Sequence, residues 1–386
     1  MHLYLCFSLL FYLRMSDNLI KDNISIKVGD NTMKTKSVLA ITILTVLSTI
    51  GVSGCQNNND GKVIVDSAGD EITLPSKIER VVVTTEPAID MMVALGVGDK
   101  ISGAYKNTFN NPWLERFWPN ARTRVESITS YQPEAESLIA SGTDIIFVPT
   151  KDRAEALRAK GICAITLRMF SPNEVREGVG ILGEIFGEEV KEKGKEWIND
   201  FQNSIDDIAT MVSDVPETDR KSCYQLMGDK YKGLFRTNYG DTLDYFVYGG
   251  GTSALAGITD AMFTDNMPTE EAVLGTNPDV IFVNGTYASK LIVDLKADQR
   301  WSAINAVVNN EIYRTPVGFC DWSAEGSELV LMNYWVFSKL YPEKCTIDFH
   351  EKANSFYEKY FGTTFTNQEL DYMFDILSPE GKELCE

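Results

Sequence analysis

Aromatic and cationic side chains stand out in the polar, irregular stretches of this sequence. Tyrosine and tryptophan rings offer large apolar contacts, and arginine pairs well with carboxylate or catecholate oxygens. Together these residue types suit an anionic metal chelate better than a free cation. The candidate ligand-binding residues are Tyr105, Lys106, Tyr131, Arg168, Tyr231, Arg236, Tyr239, Tyr287 and Trp322.

Two of these candidates, Arg236 and Trp322, rank first because their loops are too polar and irregular to be core. Each aromatic ring has core or rim packing as its alternative role. For Arg168 and Arg236 a structural salt bridge is the alternative to ligand contact.

The motifs of common catalytic and metal sites are absent from the sequence. No G-x-S-x-G, P-loop or H-E-x-x-H run occurs. The triple glycine at 249–251 follows a predicted helix rather than a strand, so it resembles a phosphate loop only weakly. The seven cysteines lack C-x-x-C or zinc spacing, and the two histidines, His2 and His350, cannot build a site of several imidazoles. We expect no catalytic residue, no protein-bound metal and no cofactor.

Two stretches of the chain repeat each other. Residues 133–149 read PEAESLIASGTDIIFVP, and residues 268–284 read PTEEAVLGTNPDVIFVN. Superposing them aligns Glu136 with Glu271 and Asp144 with Asp279. Each copy predicts a short helix opening with a carboxylate, a polar turn and a strand buried on both faces. A repeat at this long spacing, present twice, predicts two similar α/β lobes rather than a solenoid.

The first lobe is predicted over residues 63–171 as an alternation of strands and helices. A hairpin turns at Gly69, and a helix begins at Pro87 and ends before Gly96. Strands are predicted over residues 80–85, 101–104, 145–148 and 163–167. Right-handed crossovers would align the loops after these strands along one edge, where open α/β sheets bind ligands.

A helical region over residues 172–216 is predicted to join this lobe to a second one over residues 217–386. Ser171 and Glu174 have the spacing of a capping box, and Gly187 interrupts the helix. Apolar residues then recur at helical spacing up to position 212. The second lobe should contain strands over 222–227 and 311–315, a helix over 325–340 and two closing helical segments.

The amino-terminal region has the pattern of a secretory signal. Residues 33–36 are a basic start, residues 37–50 are apolar, and residues 51–55 are small and end in Cys55. Ending on Ser-Gly-Cys, it resembles the bacterial lipoprotein signal, in which the cysteine is lipidated. We expect translation to begin at Met33, removal of residues 1–54, and a flexible tether over residues 55–62. An ordinary signal with a chance cysteine is the alternative.

The charge balance is strongly acidic, with 36 Lys+Arg against 55 Asp+Glu and a formal net charge of −19. Phosphate contacts need clustered lysine and arginine, and no such cluster occurs. The composition therefore argues against nucleic acid as a partner.

Several stretches carry a family resemblance through their order and spacing. They are residues 80–104, RVVVTTEPAIDMMVALGVGDKISGA, residues 301–316, WSAINAVVNNEIYRTP, and residues 331–344, LMNYWVFSKLYPEK, together with Cys55 and the repeat. They resemble the class III solute-binding proteins of ABC importers for iron–siderophore complexes, haem and cobalamin. The resemblance covers nearly all of residues 63–360. It implies two Rossmann-like lobes with mostly parallel central sheets, one long bridging helix and a ligand cleft between the lobes.

The same resemblance implies partners. An ABC permease with its ATPase would receive the ligand from a monomer that is lipid-anchored at the outer face of the cytoplasmic membrane. In that family one carboxylate on each lobe docks onto permease arginines, which here assigns the role to Glu136 and Glu271. Matched charges on two rigid lobes would let a partner sense their separation. The alternative is that both only favour a helix amino terminus.

The ligand is the most open part of this interpretation. An iron–siderophore-type chelate comes first, and a corrinoid comes second because a broad aromatic cleft also fits a macrocycle. Haem held by histidine is disfavoured, although tyrosine or methionine ligation stays open. Other metal complexes and oxyanions remain within the same family. A secreted α/β hydrolase is the alternative from a different class, since fold alone does not exclude chemistry.

Overall fold

Two parallel sheets form the framework of the protein. The computed structural model describes residues 61–226, 244–256, 263–264, 267–284 and 288–375. All of them belong to one unit, residues 57–386.

The first sheet has five parallel strands in the order β5-β4-β3-β6-β7. A short antiparallel hairpin, β1 (Val63–Val65) and β2 (Glu71–Thr73), precedes it as predicted. The sheet strands are β3 (Val81–Val83), β4 (Ile101–Tyr105), β5 (Glu126–Ile128), β6 (Ile145–Val148) and β7 (Ala164–Thr166). Strand β5 was not predicted, because it lies at the sheet edge and lacks the buried apolar run that identifies β3 and β6.

The second sheet has four parallel strands in the order β13-β12-β8-β9. They are β8 (Ser222–Leu226), β9 (Thr252–Ser253), β12 (Val280–Val283) and β13 (Ile312–Arg314). A separate two-stranded ribbon pairs β10 (Phe263–Thr264) with β11 (Met267–Pro268). The predicted strands at 222–227 and 311–315 are confirmed to within a residue at each end.

Helices cover and connect the two sheets. Those of the first half are α1 (Glu86–Ala94), α2 (Leu114–Phe117), α3 (Ala121–Arg124), α4 (Ala135–Ala140), α5 (Lys151–Arg158), α6 (Pro172–Phe186) and α7 (Glu188–Met211). Those of the second half are α8 (Asp244–Tyr248), α9 (Glu270–Thr276), α10 (Ala288–Ala297), α11 (Asn305–Val308), α12 (Leu329–Leu340), α13 (Phe349–Phe361) and α14 (Asn367–Phe374). Within the described ranges, no helix combines the length and hydrophobicity that a membrane span needs.

The sequence repeat corresponds to the same structural unit in both sheets. Asp144 lies in the turn between α4 and β6, and its carboxylate accepts from the backbone N–H of Arg80 at 2.8 Å, just before β3. Asp279 lies between α9 and β12, and its carboxylate accepts from the N–H of Ser222 at 2.9 Å, at the start of β8. Each aspartate therefore fixes the start of the neighbouring parallel strand.

Two helices, α6 and α7, connect the sheets as predicted. Ser171 caps α6 by accepting from the N–H of Glu174 at 3.3 Å. The Glu174 carboxylate does not complete the capping box, because it accepts from the N–H of Phe170 at 3.0 Å instead. Gly187, with φ of +99°, separates the helices. Helix α7 has 24 residues and therefore spans about 36 Å.

The carboxyl-terminal helices return to the first half of the chain. The ring of Phe117 lies 5.0 Å from Tyr357 and 5.2 Å from Phe361, both on α13. The Asn111 amide donates to the carbonyl of Gly318 at 2.8 Å. One hydrophobic cluster accordingly includes residues from both sheets and from α7, α12 and α13.

Helix α12 begins four residues later than the predicted start at Glu325. Glu325 has φ of +54°, which interrupts helical geometry. Two residues further on, the N–H of Ser327 donates to the Asp90 carboxylate at 2.5 Å and its hydroxyl donates at 2.8 Å. A tertiary contact with α1 therefore holds this segment outside the helix.

Two fully buried carboxylates meet at this junction. Asp90 accepts only from Ser327 among the described residues, and Glu328 accepts from the N–H groups of Phe319 and Cys320, each at 3.0 Å, and from the Tyr357 hydroxyl at 2.7 Å. Burial raises the pKa of Asp90 to about 7, and burial followed by the charge of Asp90 raises the pKa of Glu328 to about 8. The native protein therefore holds protons on this pair that an unfolded chain releases.

This proton uptake makes a prediction about stability. The contribution of the pair is complete below the ordinary carboxyl pKa of about 4 and is lost as pH rises through about 7 to 8. The unfolding free energy should fall from about pH 4 to about pH 8 as the unfolded chain releases these protons. We expect Asp90→Asn to make that fall shallower by up to about 1.4 kcal/mol per pH unit. The asparagine can still accept from the Ser327 N–H and donate to its hydroxyl.

Urea denaturation at successive pH values measures this slope. Asp99→Asn, a matched change at an exposed aspartate of the same lobe, should keep the wild-type slope. An unchanged slope in Asp90→Asn would contradict the assignment.

Candidate ligand-binding site

The carboxyl ends of the first sheet's strands lie along one edge, as predicted. Every pairing among β3 to β7 is parallel, so the loops that follow the strands emerge together. Thr84, just after β3, donates its hydroxyl to the carbonyl of Phe147 on β6 at 3.0 Å. This edge is the natural ligand position for the first half of the chain.

A stack of aromatic rings lies at this edge. Tyr105 ends β4 and Tyr131 follows β5, and their ring centroids are 4.3 Å apart with planes 18° from parallel. Tyr105 is buried, whereas Tyr131 is 40% exposed. The guanidinium of Arg153, in the first turn of α5, lies 5.5 Å from the Tyr131 centroid. The edge therefore presents an exposed ring backed by a buried one and flanked by a cation.

The two predicted cations of this edge differ. Lys106 is exposed and begins a short 3₁₀ turn after Tyr105. Arg168 donates its Nε–H to the Glu174 carboxylate at 2.7 Å and lies 6.0 Å from the Phe170 ring. The salt-bridge alternative for Arg168 is therefore present in the structure, and ligand contact by either cation stays a prediction.

The second sheet's edge carries a compact polar network. The Thr315 hydroxyl donates to the Asp321 carboxylate at 2.8 Å, and the Ser323 hydroxyl donates to the same oxygen at 2.6 Å. Asn284, at the end of β12, donates its amide to the Ser323 hydroxyl at 3.2 Å. Three segments that follow β12 and β13 are thereby held together.

The two edges meet at Glu86 and Cys320. The Cys320 thiol donates to the backbone carbonyl of Glu86 across a 3.7 Å separation. Burial first, and the charge of Asp321 second, raise the pKa of the Glu86 carboxyl to about 7. Groups from the two sheets thus lie close enough to share one site.

Sequence reasoning assigned no ligand role to Glu86, Arg153 or Asn284. Glu86 opens a helix, Arg153 lies in a charged helical turn, and Asn284 ends a strand, which are ordinary positions for these residue types. The alignment of strand ends was the available signal, but it does not say which side chains approach each other.

The burial of Trp322 shows that one reason for ranking it as a ligand residue was wrong. Its loop was expected to be too polar and irregular to be core, yet the side chain is fully buried. The indole packs edge-on against Phe374 at 5.8 Å, within the main hydrophobic cluster. The polar residues around it bond to one another and leave the indole inside. Its ligand contact remains a prediction.

Other predicted site residues fall outside the described ranges. These residues are Cys55, Tyr231, Arg236, Tyr239 and Tyr287.

The two predicted docking carboxylates occupy equivalent, exposed positions. Glu136 lies in the first turn of α4 and Glu271 in the first turn of α9. Neither side chain makes a hydrogen bond or ion pair within the described part of the chain. Glu270, by contrast, accepts from the indole N–H of Trp301 at 2.8 Å and pairs with Arg300.

Across the described ranges, no group of three or more histidine, cysteine, aspartate or glutamate side chains is placed to hold a metal ion.

A family profile and individual relatives both match this chain. The sequence profile of the periplasmic binding protein family matches residues 81–317, more than half of the chain. The molybdate-binding protein MolA of Haemophilus influenzae is 23% identical over 372 residues, covering 86% of this chain and 98% of that protein. The Fe(3+)-citrate-binding protein YfmC of Bacillus subtilis is 20% identical over 292 residues, covering 72% and 88%.

A solved structure confirms the predicted two-lobed α/β fold. Haemophilus influenzae MolA bound to molybdate aligns with a TM-score of 0.65 at 21% identity, covering 79% of this chain and 99% of that one.

The contrast between Trp322 and Tyr131 can be tested by truncation. We expect Trp322→Ala to lower the unfolding free energy by about 3–5 kcal/mol, because it empties a large buried site. Tyr131→Ala should lower it by about 1 kcal/mol, because the ring is exposed and loses mainly one stacking contact. Urea denaturation of both variants makes the comparison, and similar small losses would place Trp322 at the surface instead.

Proposed function

This chain belongs to the periplasmic binding protein family, the substrate-binding components of ABC transporters, and we propose that it captures an anionic metal chelate of the iron–siderophore type. The chelate binds between the two sheet edges and is delivered to an ABC permease with its ATPase. The family works outside the cytoplasm and consists of binding proteins rather than enzymes.

The observation that carries this proposal is the meeting of the two sheet edges. Glu86 follows the central strand of the first sheet, and Cys320 follows the edge strand of the second, and they are in contact. On the first edge, the Tyr105–Tyr131 stack offers a flat apolar surface beside Lys106 and Arg153. Aromatic rings with neighbouring cations suit a ligand with planar groups and anionic oxygens.

A bare oxyanion is the second candidate ligand. It is favoured by the likeness to MolA, a molybdate-binding protein, over nearly the whole of both chains. The likeness to YfmC, an Fe(3+)-citrate-binding protein, favours the chelate. Both candidates share anionic oxygens around a metal centre. A corrinoid would need the aromatic surface but little of the positive charge, whereas haem would need both because its propionates are anionic.

We further propose that Glu136 and Glu271 dock onto the permease. Both are exposed and lie in the first turns of equivalent helices. The turn after each helix is tied by Asp144 or Asp279 to a central strand. Each docking charge would therefore move rigidly with its own sheet, and a partner could read the separation between them.

Anchoring completes the proposal. The short polar tether over residues 55–62 begins with Cys55. Lipidation of Cys55 would hold a monomer at the outer face of the cytoplasmic membrane.

Direct titration tests the ligand. The purified protein, followed by tryptophan fluorescence and calorimetry, is titrated with ferric catecholate, hydroxamate and citrate complexes, haem, cobalamin and molybdate. We expect saturation at a one-to-one ratio by an anionic complex, with the ligand recovered unchanged. Turnover of the ligand would favour a hydrolase instead. Binding of cobalamin alone would overturn the anionic class, and binding of haem alone would overturn the siderophore type.

Transport tests the docking carboxylates. We expect the double variant Glu136→Ala, Glu271→Ala to abolish ligand uptake by the reconstituted transporter while ligand affinity stays within about twofold, because neither exposed carboxylate makes a hydrogen bond or ion pair with a described residue of the proposed binding edges. Glu217→Ala with Glu358→Ala, two exposed glutamates on other elements, is the matched control and should transport normally. A large loss of affinity in the docking variant would refute the assignment.

A further inference from the structure

Arg153 differs from the other arginines of residues 61–171 in having no hydrogen-bond acceptor among the residues that the structure describes. Arg80 and Arg124 donate to backbone carbonyls, Arg158 bonds to Asp70, and Arg168 bonds to Glu174. Arg116 and Arg122 have acceptors as well. Within the described part of the chain, no carboxylate or carbonyl accepts from the Arg153 guanidinium. Its donors are therefore available to a ligand.

The position of Arg153 is nevertheless fixed. The side chain is partly buried, and its guanidinium lies 5.5 Å from the centroid of the Tyr131 ring, which in turn stacks on the buried Tyr105. A cation over an aromatic face is attracted by the ring quadrupole, so the stack orients the guanidinium without using its N–H groups. This arrangement orients the charge and leaves its N–H groups without an acceptor among the described residues.

A groove lies beside this guanidinium. Its volume is about 490 Å³, within the range of small-molecule sites, and its wall is mostly polar. The loop from Ser130 to Glu134 forms one side, and Arg153 and Lys160 lie on the other. The Ser130 hydroxyl donates to the carbonyl of Gln132 at 2.9 Å, which shapes the loop as a closed turn. Two cations against the single carboxylate of Glu134 give the groove a positive balance on a strongly acidic protein.

We propose that Arg153 is the residue that binds the anionic oxygens of the ligand, and that the groove between the loop 130–134 and α5 is the subsite they enter. This inference rests on the proposed function, because it names the charge recognition within that same binding edge. Bidentate pairing with two oxygens of a carboxylate or a metal oxyanion is the geometry that a guanidinium supplies and an ammonium does not. Lys160 contributes charge at the far end of the groove.

The test compares Arg153→Gln with the wild-type protein for binding of ferric catecholate, ferric citrate and molybdate by calorimetry. We expect at least a tenfold loss of affinity for the anion that the wild type binds, and a weaker dependence of affinity on salt concentration. Arg153→Lys should recover only part of the loss, since it restores the charge without the planar fork. Unfolding midpoints in urea should stay at the wild-type value.

Arg176→Gln is the matched control. Arg176 also lies over an aromatic ring, 4.8 Å from the centroid of Phe201, but on α6 and with Asn173 as its partner. Its loss should leave anion affinity unchanged. If the wild type binds an anion and Arg153→Gln binds it equally well, the subsite is wrong and the proposed function stands. If the wild type binds none of these three anions, the anionic ligand class fails and the subsite fails with it.

Discussion

The contact between Asp90 and Ser327 is the constraint on which the binding edges depend. It joins α1, the first helix after β3, to the segment that leads from β13 into α12. A side chain at Gly326 would place its Cβ only 2.1 Å from an Asp90 oxygen, and one at Gly318 would place its Cβ only 1.8 Å from a Glu328 oxygen. The close approach therefore requires glycine at both positions. Because this segment is fixed at its far end, Cys320 and Asp321 stay next to Glu86.

This junction uses ionisable groups where apolar packing would be simpler. Burying carboxylates without a cation is unfavourable unless they are hydrogen-bonded or protonated, and here both conditions contribute. Asp90 and Glu328 accept from defined N–H and hydroxyl donors on neighbouring segments. Hydrogen bonds are directional, so they fix the relative position of the segments more closely than apolar contact does. The raised pKa values are the consequence of that placement.

The proposed binding edges and the proposed docking carboxylates are connected through the same strands. Asp144 and Asp279 hold the starts of β3 and β8, and the ends of these strands border the proposed cleft. The Trp197 indole N–H on α7 donates to the carbonyl of Ser327, just before α12, at 2.9 Å and so ties the connecting helix to the same segment. A ligand that changes the separation of the edges would therefore change the separation of Glu136 and Glu271, the quantity that the proposed docking would let a permease sense.

The sequence by itself determined the elements and their duplication, whereas the tertiary structure decided which side chains meet. Apolar periodicity, glycine stops and the repeat can be read from the sequence, so most strands and helices were predicted from them. The repeat also predicted that Asp144 and Asp279 occupy equivalent positions. Strand β5 and the late start of α12 did not, because an edge strand needs no apolar run and a contact with Asp90 interrupts the helix. Tyr105 was predicted as a ligand residue from its type and its position after a strand, and Tyr131 from its type in an irregular loop. The burial of Trp322, the pairing of Arg168 with Glu174 and the open donors of Arg153 depend on neighbours distant in the chain, and no local pattern specifies them.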